Sequence, residues 1–481
     1  MLGCGARGAP ARALEENRAC TARLPLPPEP TLTTTHPDSP PAPVSAGLRR
    51  RLNLFDVLCI GVNAIVGSGV FALPDDMQRA MGGWSPLAFL FCAVLLMPVA
   101  LCFAELAGRH EETGGSYLYA RNAFGPRVGF FVGWYCWANT FVSWAANMTL
   151  FVEIVGVRAQ PLNKVIDVSG ILALGAINYF GVKPGAWVVN LVVIGKLSAI
   201  FCFLAVAIFA FDPSKLGGPL PYGVAGIGQG IYLALFPLQG FEVTPIAAGE
   251  TKNPQRTVPL GTLGALLFSA LLFVLVQATL ATTYPGIGNV SQRPLADGAR
   301  YIGPTLGAIV LIGSMVSIGG FTAGSALGSP RYAQAIAAHG LLPAPIASLH
   351  GRFGTPHVAI LITTGLTAAL AAFLDYRQLV GMSNITIVVQ YLFTCLAVPA
   401  IRARQGPAPA KAFVIPGGPL IPIIGALGSL TFLAGPIGGL LRLESESILE
   451  VVFAMGTLVL GILVAALFAR RQKGAGGAAG P

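Results

Sequence analysis

The residues most able to do chemistry are a few charged and polar groups set in otherwise apolar runs. Lys196 stands in Asn190-Leu-Val-Val-Ile-Gly-Lys-Leu-Ser198, and Glu242 follows Leu235-Phe-Pro-Leu-Gln-Gly-Phe241. A basic side chain at mid-bilayer costs about 2.5–3.5 kcal/mol on insertion scales, so Lys196 must face other helices and not lipid. There it is placed to gain and lose a proton as the protein turns over. The alternative is a permanently charged lysine bonded to main-chain carbonyls and holding them in place. Glu242 has two readings of equal standing, a proton relay or coupling sensor and a hydrogen-bonded anchor. Glu105, Glu153 and Glu250 lie near the ends of apolar runs, where hydrated or capping roles are expected.

Two apolar runs carry helix-breaking residues near their middles. The first reads Gly61-Val-Asn-Ala-Ile-Val-Gly-Ser-Gly-Val-Phe71 and closes at Pro74. Gly67 and Gly69 each lower helix propensity by about 1 kcal/mol relative to alanine. Ile65 and Val66 lie about 12 residues from the start of this run, roughly 18 Å along a helix. The second run holds Pro237 at similar depth, where proline removes a backbone bond and clashes with the preceding turn. Taken singly, such residues also serve for close packing or a simple kink. Two interruptions five runs apart are the mark expected of two inverted five-helix repeats. A broken helix leaves N–H groups on one half and carbonyls on the other, which suit an anion and a cation respectively. An α-amino acid carries both charges on one carbon. Asn139 and Thr140 lie at mid-depth in the third run and are candidates to line the pocket, with Phe321, Ser383, Asn384, Ser314 and Ser317 as weaker ones. Trp137 and Trp144 are either pocket walls or packing.

The elements that must hold these groups are membrane helices. The chain has 481 residues, 54% hydrophobic and 10% charged, with mean hydropathy +0.71; soluble domains carry about a quarter charged residues. Crossing a hydrocarbon core of about 30 Å takes about 20 apolar residues. Twelve segments qualify, at Leu54–Pro74, Pro86–Leu106, Val128–Ile154, Val165–Phe180, Val188–Phe211, Ile227–Ala248, Leu260–Tyr284, Leu306–Leu327, Val358–Leu374, Leu379–Ile401, Leu420–Leu441 and Leu449–Phe468. The third and eighth are expected to extend further at their cytoplasmic ends. With both termini inside, cytoplasmic segments hold 17 basic residues against 8 outside, the bias that orients membrane proteins. The net charge of +10 is scattered, with no block beyond Arg49-Arg50-Arg51, so nucleic acid is not an expected partner. Cys59, Cys92, Cys102, Cys136, Cys202 and Cys395 sit in apolar runs as small hydrophobes, and no spacing suggests a disulfide framework or zinc site. The five histidines fall in the tail or in loops. Residues 1–47, rich in Pro, Ala, Arg and Thr and without an apolar stretch, read as a disordered cytoplasmic tail or as leader from a start codon placed too far upstream.

Several motifs occur in order over about Leu52–Arg404. They are Gly67-Ser68-Gly69-Val70-Phe71, Gly114-Gly115-Ser116-Tyr117 leading to Ala120-Arg121, Phe124-Gly125-Pro126, Gly249-Glu250-Thr251-Lys252-Asn253-Pro254-Gln255-Arg256, and Ser329-Pro330-Arg331-Tyr332 through His339-Gly340-Leu341-Leu342-Pro343. This set resembles the amino acid–polyamine–organocation (APC) transporter superfamily. The resemblance implies a LeuT-like inverted repeat with helices 1 and 6 broken. It implies that Ile65, Gly67, Ser68 and Gly69 cradle a substrate carboxylate, and that Phe236, Pro237 and Gln239 present carbonyls or a lid to the amino group. Pro237 and Gln239 depart from the small residues common at that break. Many proton symporters of the superfamily carry a fifth-helix lysine where sodium binds in sodium-coupled relatives, and Lys196 matches it.

The expectation is therefore an all-α integral membrane protein of twelve transmembrane helices with a LeuT-like 5+5 repeat. Its parts are the tail (1–47), a first repeat (48–215), a second repeat (216–404), and helices eleven and twelve with the C-terminal tail (405–481). The expected function is secondary transport of an amino acid across the inner (plasma) membrane, by proton symport with alternating access through Lys196 and Glu242. The alternative is obligate amino acid or polyamine exchange on the same fold. No P-loop, histidine cluster, paired acidic metal motif or nucleophile elbow supports an enzyme or an ATP-driven pump, and no repeated carbonyl loop supports a channel. No cofactor or metal is expected; the partners are substrate, protons and lipid, with helices eleven and twelve read as a homodimer contact. The absence of an evident unpaired acid in the third, eighth and tenth spans favours a substrate with a neutral side chain.

Overall fold

The computed structural model describes residues 52–477 except 110–114, 158, 160, 182–185, 290, 292, 407, 410–411 and 442–443. The expected tail (1–47), Arg49–Arg51, Gly114, and the topology residues Arg158, Lys183, Lys411 and Arg442 lie outside the described residues, as do the side chains of Glu250, Arg470, Arg471 and Lys473. The described residues belong to one packed unit and are helical in every named element.

The first span is two helices, α1 (Leu54–Ile65) and α2 (Gly69–Ala72), and α3 (Pro74–Met81) follows it. Asn53 starts α1 with a reciprocal cap, its side chain taking the Asp56 amide at 3.1 Å while Asp56 takes the Asn53 amide at 2.8 Å. Such caps satisfy amides that a helix start leaves without partners. There follow α4 (Pro86–Arg109), α5 (Gly115–Phe124), α6 (Pro126–Val155), α7 (Leu162–Tyr179) and α8 (Ala186–Ala207). The sixth span is α9 (Gly223–Leu238) and a 3₁₀ stretch, Phe241–Glu250. The chain continues through α10 (Pro254–Thr283), α11 (Pro294–Ile302), α12 (Pro304–Ala338), α13 (Ala344–Ala347), α14 (His357–Phe373) and α15 (Tyr376–Gln405). It ends in α16 (Leu420–Thr431), α17 (Ala434–Leu441) and α18 (Ser445–Gly477).

Every apolar segment read from the sequence falls mainly on helix, and among the described residues eight helices are each long and apolar enough to cross a membrane. α1 and α14 are shorter apolar helices. The third and eighth segments do run on, to Pro126 at the start of α6 and to Ala338 at the end of α12. α6 is the central helix: it packs on α5, α7, α12, α14 and α15 and buries Trp144 completely. α12 lies along both α6 and α8, while α10 braces α1 and α4.

Glu105 departs from the hydrated or capping role expected of it. It is fully buried, and its carboxylate accepts from Arg402 Nε at 2.8 Å and Nη2 at 2.5 Å, Arg109 Nε at 3.2 Å and the Ile415 amide at 2.9 Å. A buried carboxylate is tolerated when its oxygens are taken up in this way, and here it ties α4 to α15 and to the strand of chain before α16.

Candidate functional site

The two interrupted spans meet. α1 ends at Ile65, and Val66 leaves the helix with ψ 79°. The amide of Gly67 turns back to Ile65 O at 2.8 Å. The second interruption comes later than Pro237: α9 runs through this proline to Leu238, Gln239 turns extended, and Gly240 takes φ 117°. Proline sits in the last turn of α9, and the chain leaves helix where glycine permits a left-handed backbone. A Cβ on Gly240 would stand 2.5 Å from the Ala64 carbonyl and 2.8 Å from the Ile65 amide, and one on Gly69 would strike the Pro237 ring. The absence of side chains at Gly69 and Gly240 lets one break lie on the other.

The carbonyl end of α1 is occupied by protein. Lys196 of α8, 1% exposed, donates to Asn63 O at 2.9 Å and Val66 O at 2.6 Å. The Ser317 hydroxyl of α12 shares its one hydrogen between Val66 O at 3.3 Å and Gly67 O at 3.1 Å. Main-chain carbonyls at a helix end carry partial negative charge, and an ammonium is the matching cap. The amide end is different. The Ser68 amide has no main-chain acceptor among the described residues, and the first amides of α2 are those that a helix start leaves unpaired. Ser68 and Gly69 line a cavity of about 570 Å³.

That cavity is lined by Ile65, Gly67, Ser68, Gly69, Asn139, Thr140, Phe236, Pro237, Gln239, Glu242 and Phe321, so the structure gathers most of the site residues read from the sequence. Two of them stand behind it. Lys196 caps α1, and Ser383 is fully buried, bonded to Asn139 Oδ1 at 2.7 Å, Gln239 Oε1 at 3.2 Å and Ser143 Oγ at 2.9 Å. Gln239 also donates to Asn384 Oδ1 at 2.9 Å, which fixes its amide across the second break. Ser314 bonds its own helix at Leu311 O. Trp137 donates to Thr363 at 3.1 Å and Trp144 packs in the core, so neither lines the cavity.

Glu242 closes its own break. Its Oε2 accepts from the Gly240 amide at 2.9 Å and from the Tyr391 hydroxyl at 3.1 Å. Phe103, Phe241 and Tyr391 pack edge-on and stacked, with centroids 5.3–6.2 Å apart, and hold that hydroxyl in place.

The cavity has one shut end and one that reaches the surface. At the shut end Ser68 and Tyr376 approach to 3.4 Å, Phe236 meets the Tyr376 ring edge-on at 6.2 Å, and beyond them Arg377 binds Asp76 at 3.1 Å. At the other end the lining continues past Ile60 and Asn63 of α1 and Gly324, Gly328, Arg331 and Ala335 of α12. Reading the sequence missed Ser143, Asn147, Ser325, Ser329 and Gln390, which also line it. Ser143 and Asn147 lie one and two turns beyond Asn139 on α6, and that helical spacing was the available signal.

A family model described as "Amino acid permease" matches residues 52–458. An uncharacterised transporter of Mycobacterium tuberculosis is 30% identical over 436 residues, covering 90% of this chain and 93% of the relative. The branched-chain amino acid permease BcaP of Bacillus subtilis is 26% identical over 453 residues, covering 89% and 94%. The methylthioribose transporter of Bacillus subtilis is 25% identical over 403 residues, covering 79% and 87%. The chain belongs to the amino acid permease family: it is a multi-pass membrane transporter and not an enzyme.

Proposed function

We propose that this amino acid permease family member carries an α-amino acid with a neutral side chain by proton-coupled alternating access. One observation carries the reading. The carbonyl end of the first break is capped by the protein's own buried cation, Lys196, while Ser68 and Gly69, at its amide end, line the cavity. The substrate carboxylate sits on those amides, which are oriented and need no reorganisation to receive it. The ammonium goes to the last carbonyls of α9, the end that a helix leaves unpaired. Ile65, Phe236, Pro237 and Phe321 supply an apolar wall for the side chain. Glu242, the acid in that wall, is engaged by Gly240 and Tyr391, so no free carboxylate awaits a cationic side chain.

The twelve apolar segments are twelve crossings in a LeuT-like 5+5 repeat, with both termini cytoplasmic and the protein in the inner membrane. In that orientation the shut end at Tyr376 and Arg377 faces outward, and the end at Arg331 opens to the cytoplasm. Lys196 couples the cycle to protons. Losing its proton weakens its hold on Asn63 O and Val66 O, and the first break is then free to move.

The test is uptake of radiolabelled leucine and other amino acids into proteoliposomes under an imposed inward proton gradient, with Lys196→Ala in parallel. Gradient-driven uptake that the substitution abolishes is the expected result. Uptake that ignores the gradient and requires internal amino acid overturns symport in favour of exchange, and no uptake of any amino acid by folded protein overturns the substrate.

A further inference from the structure

Another buried acid lies outside both breaks. Glu450, on α18, is 8% exposed, in a helix whose remaining surface is largely unburied. Its Oε2 stands 2.8 Å from the hydroxyl of Tyr232 on α9, and the same hydroxyl stands 3.1 Å from Gly381 O on α15. Any side chain at Gly381 would collide with the Glu450 carboxyl, so the glycine makes the space in which the acid sits.

A phenol carries one hydrogen. Tyr232 cannot give a full, two-centre bond to both Gly381 O and Glu450 Oε2; an ionised carboxylate would leave the two sharing one hydrogen. Both contacts are full hydrogen bonds when the carboxyl is protonated and donates to the phenol oxygen, leaving the phenol hydrogen for Gly381 O. An ionised carboxylate here would be a buried charge without a cationic partner among the described residues, which is costly in a membrane helix. The titratable and charged groups around it are few. Tyr232 comes from α9 and Glu446 lies one turn earlier on α18. α6 brings Tyr135, whose hydroxyl donates to Ala454 O at 2.9 Å. Arg377 at the start of α15 is engaged by Asp76.

The contact reaches the substrate cavity in three steps. The Tyr232 carbonyl accepts from Asn384 Nδ2 at 2.9 Å, and Asn384 Oδ1 accepts from Gln239 Nε2 at 2.9 Å. Gln239 lines the cavity at the second break. We propose that Glu450, in its protonated form, is a positioning residue: it locks α18 to α9 and α15 through Tyr232 and Gly381 and thereby sets Gln239 for the transported substrate. Ionisation pulls the phenol hydrogen to the carboxylate and releases Gly381 O. Helix twelve, which lies outside the repeat, is by this inference a proton-dependent brace on the site and not only a flanking helix. The inference rests on the transporter reading for its consequence, though not for the protonation state itself.

Infrared difference spectroscopy of the purified full-length protein, wild type against Glu450→Gln, reads the protonation state without any transport. A carboxylic-acid C=O band lost in the variant is expected; no such band, or a carboxylate band lost in its place, overturns the proposal. Uptake into proteoliposomes as a function of pH reads the consequence. Glu450→Gln, whose amide can donate to the phenol as the acid does, keeps uptake within about twofold of wild type and shows a shallower alkaline fall in uptake, the remainder being that of Lys196. Glu450→Ala and Tyr232→Phe each lower uptake roughly two- to tenfold, the factor expected for one buried hydrogen bond, and Tyr232→Phe covers the case in which Glu450→Ala does not fold. Glu450→Gln as defective as Glu450→Ala, or all three variants equal to wild type, overturns the positioning role. If the wild-type protein moves no amino acid, the transporter reading has failed and the infrared result alone decides the protonated lock.

Discussion

The two breaks solve the same problem with opposite charges. At the first, main-chain carbonyls are left over, and the protein meets them with a cation from another helix, Lys196, supported by Ser317. At the second, an amide is left over at Gly240, and an acid two residues on, Glu242, takes it up. The first cap comes wholly from other helices, α8 and α12, whereas the second comes from its own stretch, with Tyr391 of α15 on the same oxygen. The first break is held by a charged group from outside that must let go for the first span to move, which suits it to coupling; the second, whose charged cap travels with it, is suited to shaping the pocket.

The sharpest way to break the comparison is to prevent the two breaks from meeting. Gly240→Ala puts a Cβ 2.5 Å from the Ala64 carbonyl in a left-handed conformation, and Gly69→Ala drives one into Pro237. Both are expected to abolish uptake and to lower folded yield, read by size-exclusion chromatography of the purified protein. Next in size, Lys196→Ala leaves the carbonyls of Asn63 and Val66 without their charged donor, at about 1.5–3 kcal/mol for a hydrogen bond to a charged group. Its uptake is expected at background, with a lowered melting temperature in a thermal-shift assay. Wild-type uptake from this variant would show that the long-range cap is dispensable.

Glu242 separates the two designs more finely. Gln retains an oxygen for the Gly240 amide and for Tyr391, so Glu242→Gln is expected to keep its melting temperature and most of its uptake, while Glu242→Ala loses about 1–3 kcal/mol through an unsatisfied buried amide. If Glu242→Gln folds normally yet transports nothing under a proton gradient, the second cap also moves protons and the contrast falls. Smaller again, Ser317→Ala removes one shared contact to Val66 O and Gly67 O, worth about 0.5–1.5 kcal/mol, and a reduced but measurable uptake is expected.

The smallest effect concerns an acid that uses the Glu242 device outside the spans. Asp75, on α3 beyond the first span, is buried and accepts from the amides of Gly288 and Ser291 at 3.1 and 2.9 Å. Burial pushes its carboxyl up to about 6, against the opposing pull of those amides. The folded protein thus binds this proton more tightly than the unfolded chain. Its contribution is present at low pH and is lost as pH rises from the ordinary aspartate range through about 6. The melting temperature is expected to fall over that window in the wild type and to fall less in Asp75→Asn; equal slopes would remove Asp75 as the cause.

Much of the site was legible because its signals are local. Gly67, Gly69 and Pro237 weaken helix by their own backbone chemistry, and a lone lysine in an apolar run announces a buried partner. Pro237 also shows the limit. Its effect on helix propensity pointed to the right turn of the sixth span, but the chain departs from helix at Gln239 and Gly240, because the positive φ of Gly240 is set by the first break lying against it. Glu105 was misread as hydrated or capping because its partners Arg402 and Ile415 are about 300 residues away, beyond the reach of any periodicity.

By itself the sequence determined the class of solvent, the helical runs and where the first helix weakens. These follow from composition and from backbone preferences that each residue carries wherever it sits. It also determined that Lys196 must be buried among helices, since lipid does not accept a lone ammonium. Only the tertiary structure decided what that ammonium holds. Asn63 O and Val66 O become acceptors only once α1 has broken beside α8. Likewise Glu450 meets Tyr232 and Gly381 only once three helices from separate parts of the chain are packed together. Partnership between distant groups depends on distance and direction in space, which no single segment of chain encodes.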